Sequence, residues 1–284
     1  MILNEGGNVF KTEDSPLTQR IATKDVDPTI KFLEKIIGFE IDEQDLLGTT
    51  GKKNHPSGKF ELNSSGDLDI NTDANMISKE QLIAKLKTYL QSQGVPEDSM
   101  MNIGRKKQDG FIHNAGDQVH FRTPIDGNDA NGYVQTDFMF TTNPEFQRGA
   151  KRGGTDDYTG AERAMLLASI ARGRGYKMSP KFGLLDPNDG DAVVADTWDK
   201  IAVLLLGQGA TEKDTHTVES MIAFLRNDPN YDELISQFEH QLEKAGKKLP
   251  EAIQTLEDKQ LARIKELSGV NLNSTVMVSG AFNK

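Results

Sequence analysis

The sequence predicts an α+β protein: a mixed β-sheet flanked by helices, followed by a small helical domain. Three observations predict it. Asp67-Leu68-Asp69-Ile70 and Tyr133 to Phe140 alternate their side chains with the two-residue period of a strand. Apolar stripes at helical spacing lie between and after those strands. Beyond Asp186-Pro187-Asn188-Asp189-Gly190-Asp191 only helical spacing continues. The chain therefore divides into an arm (1–24), a sheet-bearing domain (25–186), a helical domain (187–268) and a tail (269–284).

The arm is polar, contains glycine and has no period. Asp27-Pro28 reads as the start of the first helix, with Asp27 as cap and Pro28 in the first turn. Ile30, Leu33, Ile36 and Ile37 form its stripe, and Gly38 ends it. Leu46 and Leu47 lead into Gly48-Thr49, where a tight turn leaves backbone amides free. A polar insert, Asn54 to Asn63, separates this turn from Ser65-Gly66 and the Asp67 strand. Ser78 and Gln81 form a capping box for a helix carrying Leu82, Leu86, Tyr89 and Leu90, stopped at Gly94. Phe111-Ile112 and Val119 to Ile125 read as strands around a turn at 114–117, and Asp126-Gly127-Asn128 turns the chain toward Tyr133. Thr159 and Glu162 open a further helix bearing Met165, Leu166 and Ile170. Four more helical stripes follow, centred on Trp198–Leu205, Val218–Leu225, Leu234–Leu242 and Ile253–Leu267.

The acids carry the chemistry. Asp67 and Asp69 share one face of their strand, while Leu68 and Ile70 point to the other. In the second strand Val134, Thr136, Phe138 and Phe140 form the apolar face, leaving Asp137 opposite, flanked by apolar residues. An acid there is costly to desolvate without a cation or partner. Two acids on one strand and one on another make a three-carboxylate, two-metal site geometrically possible. Hard oxygen ligands suit Mg²⁺, or Mn²⁺, completed by water and phosphate oxygens. A glycine turn offering amides beside such acids points to a nucleoside triphosphate.

The ordered set G-T, S-S-G-D-L-D-I and V-Q-T-D-F-M-F resembles the nucleotidyltransferase fold, whose pattern is glycine-serine, D-x-D and a third acid on a later strand. Asp157-Tyr158-Thr159-Gly160-Ala161 and the following A-R-G-R-G-Y-K-M-S-P-K-F-G-L-L-D look like the corresponding segments of the family X DNA polymerases. The resemblance covers about residues 25 to 186 and implies a catalytic palm. It implies that Asp67, Asp69 and Asp137 hold the metals. Gly48, Thr49, Ser65 and Gly66 would bind the β- and γ-phosphates of an NTP or dNTP, with Lys52 neutralising the leaving group. Tyr158 and Gly160 would shape the sugar and base pocket. Thr49 stands where the family has serine, Lys52 and Lys53 where it has arginines, and Ala161 where it has serine. The chain shows no helix-hairpin-helix motif, and the residues after Gly160 lack the asparagine and arginine that contact a templated pair. The resemblance thus favours template-independent transfer of a nucleoside monophosphate to an acceptor hydroxyl, with nucleic acid as the first acceptor to consider. A template-directed polymerase and a non-catalytic binding or assembly protein are the alternatives.

Composition narrows the field. A net charge of −10 over 284 residues argues against a protein that coats nucleic acid, because polyanion binding depends on phosphate neutralisation. The absence of cysteine excludes disulfides, thiol catalysis and zinc–thiolate sites and fits a reducing cytoplasm. No apolar run approaches the roughly 20 residues of a membrane span, and the polar N-terminus does not read as a signal peptide. Arg148, Lys151, Arg152, Arg172, Arg174 and Lys177 cluster beyond the Asp137 strand as either a solvated basic loop or a phosphate grip. His113 and His120 bracket a turn and read as solvated hairpin residues first, with approach to a ligand as the alternative. Gly207-Gln208-Gly209 reads as a helix terminator, because no G-K-[ST] follows.

Overall fold

The computed structural model of the chain describes residues 9–13, 15–48, 50, 64–102, 108–151, 158, 160–226, 228–244 and 246. The expected helix over Ile253–Leu267 and the tail lie outside them.

The sheet-bearing part opens with a two-residue strand β1 (Ile21–Ala22) and helix α1 (Thr23–Ile37). Helix α1 begins four residues before the expected cap: Asp27 and Pro28 lie inside it, and Ala22 is the N-cap. The reason lies in packing. Val26, Ile30, Leu33 and Ile37 are all buried on one stripe, and burial of such side chains is worth about 1.5–3 kcal/mol each. That outweighs the single hydrogen bond that Pro28 cannot donate. Gly38 closes the helix in the left-handed conformation at φ 76°, donating to Glu34 O at 2.8 Å, as its sequence position predicts.

Strands β2 (Ser64–Ser65) and β3 (Leu68–Asp73) precede α2 (Lys79–Ser92), whose Ser78–Gln81 capping box is formed in both directions. Strands β4 (Ile112–Ala115), β5 (Gln118–Pro124) and β6 (Tyr133–Thr141) complete a four-stranded sheet ordered β3-β6-β5-β4. β3 runs parallel to β6, and the other neighbours are antiparallel, so the sheet is mixed. Its apolar face (Leu68, Ile70, Val119, Phe121, Val134, Phe138, Phe140) packs on α1 and α2 in one continuous core. The other face carries the acids.

The remaining elements are α3 (Pro144–Ala150), α4 (Gly160–Gly173), β7 (Lys177–Ser179), β8 (Gly183–Asp186), β9 (Ala192–Ala195), α5 (Trp198–Leu206), α6 (Val218–Leu225) and α7 (Tyr231–Lys244). A second core joins Phe146, Leu166, Ile170, Trp198, Leu205, Met221, Leu234 and Phe238. Phe140 belongs to the first core and Phe146 to the second, so α3 and α4 pack with the helices that follow them. β7, β8 and β9 form a separate antiparallel sheet, and β9 lies where the sequence predicted only helical spacing. Among the described residues, no helix is long and apolar enough to cross a membrane.

Candidate metal centre

The acid cluster follows from strand register. In the parallel pair, Asp69 lies directly opposite Asp137, so both carboxylates project from the same face on neighbouring strands. Asp67 precedes β3 by one residue. One ligand oxygen from each of Asp67, Asp69 and Asp137 lies within 4.8 Å of the others. Three acids read from one-dimensional alternation thus meet in space.

Each neighbouring element buttresses this cluster. The chain approaching it makes an isolated bridge between Leu46 and Ile70, and Leu47 N–H donates to Asp69 O at 2.9 Å. Gly48 then turns with φ +57°, and a Cβ there would lie 2.8 Å from Asp69 Oδ2. Glycine is required twice over, for the left-handed backbone and for the close approach of the carboxylate. Thr50 Oγ1 donates to Asp67 O at 3.0 Å. Ser65 is buried in β2 and pairs with Ile21, while Arg20 donates from Nε to Ser64 Oγ and from Nη2 to Ser64 O, both at 3.0 Å. Gly66 is half-buried between β2 and Asp67. Thr49, Lys52 and Lys53 lie outside the described residues. Tyr158 is buried in the helical core, and Gly160 is the first residue of α4.

Burial and the neighbouring acids raise the proton affinity of Asp67 and Asp69. Burial, then the neighbouring Asp137, lifts Asp67 to about 6, partly offset by Arg20. Burial, then Asp67 and Asp137, lifts Asp69 to about 7, partly offset by Lys151 and His120. A divalent cation would remove this repulsion, so the donor set fits a hard metal ion. A stability prediction follows from these directions. Between the unfolded carboxylate value near 4 and about 7, the folded state binds more protons than the unfolded one. The metal-free protein should therefore lose melting temperature as pH rises from 5 to 8. Asp228, held low chiefly by its hydrogen bond from Arg174, contributes its pH dependence below that window. Mg²⁺ should raise the melting temperature more at pH 8 than at pH 5. An equal Mg²⁺ response at both pH values would contradict the cluster's role.

The histidine expectation is corrected here. His120 is 6% exposed, and its Nδ1 lies 2.7 Å from Asp137 Oδ1. β5 runs antiparallel to β6 with His120 opposite Asp137, which sets the imidazole on the acid face. Gln118, His120 and Arg122 alternate with the apolar Val119 and Phe121; that signal, joined to the β5–β6 pairing, would have placed the histidine. His113 stands behind it, ring to ring at 5.5 Å. The second addition is Gln135, two residues before Asp137 on the same face. Its Nε2 donates to Asp137 Oδ1 at 2.9 Å and to Oδ2 at 3.2 Å.

The basic segment is also corrected. Arg148 is held by Asp45 through two hydrogen bonds, from Nε to Oδ1 at 2.8 Å and from Nη2 to Oδ2 at 3.1 Å. Asp45 also accepts from Asn71 Nδ2 at 2.7 Å, so this arginine joins α3 to the sheet. Arg174 pairs with Asp228 and donates to Leu205 O, and Lys177 pairs with Asp191. Arg172 is exposed, and Arg152 lies outside the described residues. Lys151 is a cation whose charge reaches Asp69. Comparison with models of known families, with curated proteins and with solved structures finds no match.

Proposed function

We propose that the chain is a metal-dependent nucleotidyltransferase that moves a nucleoside monophosphate from an NTP or dNTP to an acceptor hydroxyl. The observation that supports this reading best is the three-carboxylate cluster, whose ligand oxygens lie within 4.8 Å of one another beside a left-handed glycine turn. Asp67, Asp69 and Asp137 would hold Mg²⁺ or Mn²⁺, which when bound stabilises phosphoryl charge and lowers the pKa of a coordinated hydroxyl.

The chain's own residues have distinct tasks in this reading. Gly48, Thr49, Ser65 and Gly66 receive the β- and γ-phosphates, because a turn without side-chain bulk lets backbone amides approach oxygen atoms closely. Lys52 and Lys151 offset charge on the departing pyrophosphate. Tyr158 and Gly160 bound the space for the sugar and base. Asp137 orients the acceptor oxygen. That oxygen attacks the α-phosphorus in line, forming a new P–O bond as the bond to the bridging α–β oxygen breaks. Pyrophosphate leaves, and the hydroxyl proton passes to water. Transfer is template-independent in this account.

The experiment is direct. The pure protein is incubated with each α-labelled triphosphate, Mg²⁺ or Mn²⁺, and a panel of DNA, RNA and tRNA acceptors including a gapped duplex. Label should appear on an acceptor without preference for the gapped duplex or for the complementary nucleotide. Faithful gap-dependent addition would instead favour a template-directed polymerase. No transfer, together with no nucleotide binding by calorimetry, would favour a non-catalytic binding protein.

A further inference from the structure

Asp137 differs from the other two acids in how it is held. Its Oδ1 receives two hydrogen bonds, from His120 Nδ1 at 2.7 Å and from Gln135 Nε2 at 2.9 Å, and Oδ2 receives a longer one from Gln135 at 3.2 Å. Both donors are almost entirely buried, as is Asp137 itself. A carboxylate that holds a cation is ionised and can only accept, so in the metal-bound state the His120 nitrogen facing it carries the proton.

The orientation of Gln135 is fixed independently. Its Oε1 accepts from the backbone N–H of Val9 at 3.1 Å, and a backbone amide can only donate. The opposite end of the amide, Nε2, must therefore be the end turned to Asp137. Val9 is itself held, because its carbonyl accepts from Asn102 Nδ2 at 3.0 Å. Phe10 beside it is fully buried. The start of the described chain thus anchors a side chain that grips the third acid.

We infer that His120 and Gln135 are positioning residues for Asp137, fixing its carboxylate toward Asp67 and Asp69 so that the three acids form one cation site. The inference rests on the metal-dependent reading above. Donors behind a metal-binding carboxylate fix its direction, and losing one typically weakens metal affinity by about 10- to 100-fold. A ring without donors in place of His120 would leave the carboxylate held by Gln135 alone. An asparagine would present an amide N–H close to where Nδ1 stands.

The test measures Mn²⁺ binding to the full chain by electron paramagnetic resonance, without nucleotide, well below the melting temperature. His120→Phe and Gln135→Met should each weaken Mn²⁺ binding by about tenfold or more, while His120→Asn stays within about threefold of the parent protein. Melting temperatures of the metal-free proteins are recorded alongside. If the histidine served only packing, His120→Asn would lose stability as His120→Phe does and affinity would not follow the donor. Parent-like Mn²⁺ affinity in folded His120→Phe and Gln135→Met would overturn the inference and leave the metal centre standing. A parent protein that binds no Mn²⁺ would overturn the metal centre and this inference with it.

Discussion

Asp69→Ala is expected to lower nucleotidyl transfer by on the order of a hundredfold or more, because it removes one of the three carboxylates of the proposed cation site. Asp67→Ala and Asp137→Ala should fall by similar amounts. The fold should survive all three. Burial and the neighbouring acids push Asp67 and Asp69 toward protonation, so removing Asp69 relieves a strain on the metal-free protein. Asp69→Ala should therefore melt no lower than the parent at pH 8 without metal, while losing the gain in melting temperature that Mg²⁺ gives. Asp137→Asn should impair turnover more than nucleotide binding, since Asp137's proposed task is at the acceptor. Transfer by Asp69→Ala within twofold of the parent would remove the cluster from the chemistry.

Gly48→Ala is the second large effect. The added Cβ would lie 2.8 Å from Asp69 Oδ2, and the backbone there is left-handed at φ +57°. A left-handed non-glycine residue costs roughly 1–2 kcal/mol, and relief of the contact must come from the turn or the carboxylate. Since Leu47 N–H is bonded to Asp69 O at 2.9 Å, the two segments cannot separate without losing that bond. The expected result is a drop in transfer of about tenfold or more from displacement of the carboxylate, with a melting temperature only a few degrees lower. Kinetics at saturating and limiting Mg²⁺ separate the cases: a displaced ligand raises the Mg²⁺ needed for half-maximal rate. An unchanged Mg²⁺ requirement with full activity would show that the turn does not bear on the acid.

The sheet's acid face was legible because alternation is local. Leu68 and Ile70 declare the buried face of β3, and Val134, Phe138 and Phe140 that of β6, so the positions of Asp69 and Asp137 follow without knowing which strands pair. What alternation does not contain is the pairing itself. His120 needed the knowledge that β5 lies beside β6 with residue 120 opposite 137. Arg148 shows the same limit. Its partner Asp45 is 103 positions away, and nothing near either residue announces the other. Strands β7 to β9 escaped because glycine, proline and short polar stretches punctuate Lys177 to Ala195, hiding a period only three or four residues long. The start of α1 escaped for the opposite reason: a strong local signal at Asp27-Pro28 was overridden by the burial of Val26.

The central claim is that the bond broken lies between the α- and β-phosphates of a triphosphate. Parallel reactions with α-labelled and γ-labelled nucleotide, Mg²⁺ and the best acceptor of the panel test it directly. The account predicts acceptor carrying the α-label and the γ-label released as pyrophosphate, with both products lost in Asp69→Ala. Acceptor carrying the γ-label would contradict it, because the chain would then move a phosphoryl group instead of a nucleotide.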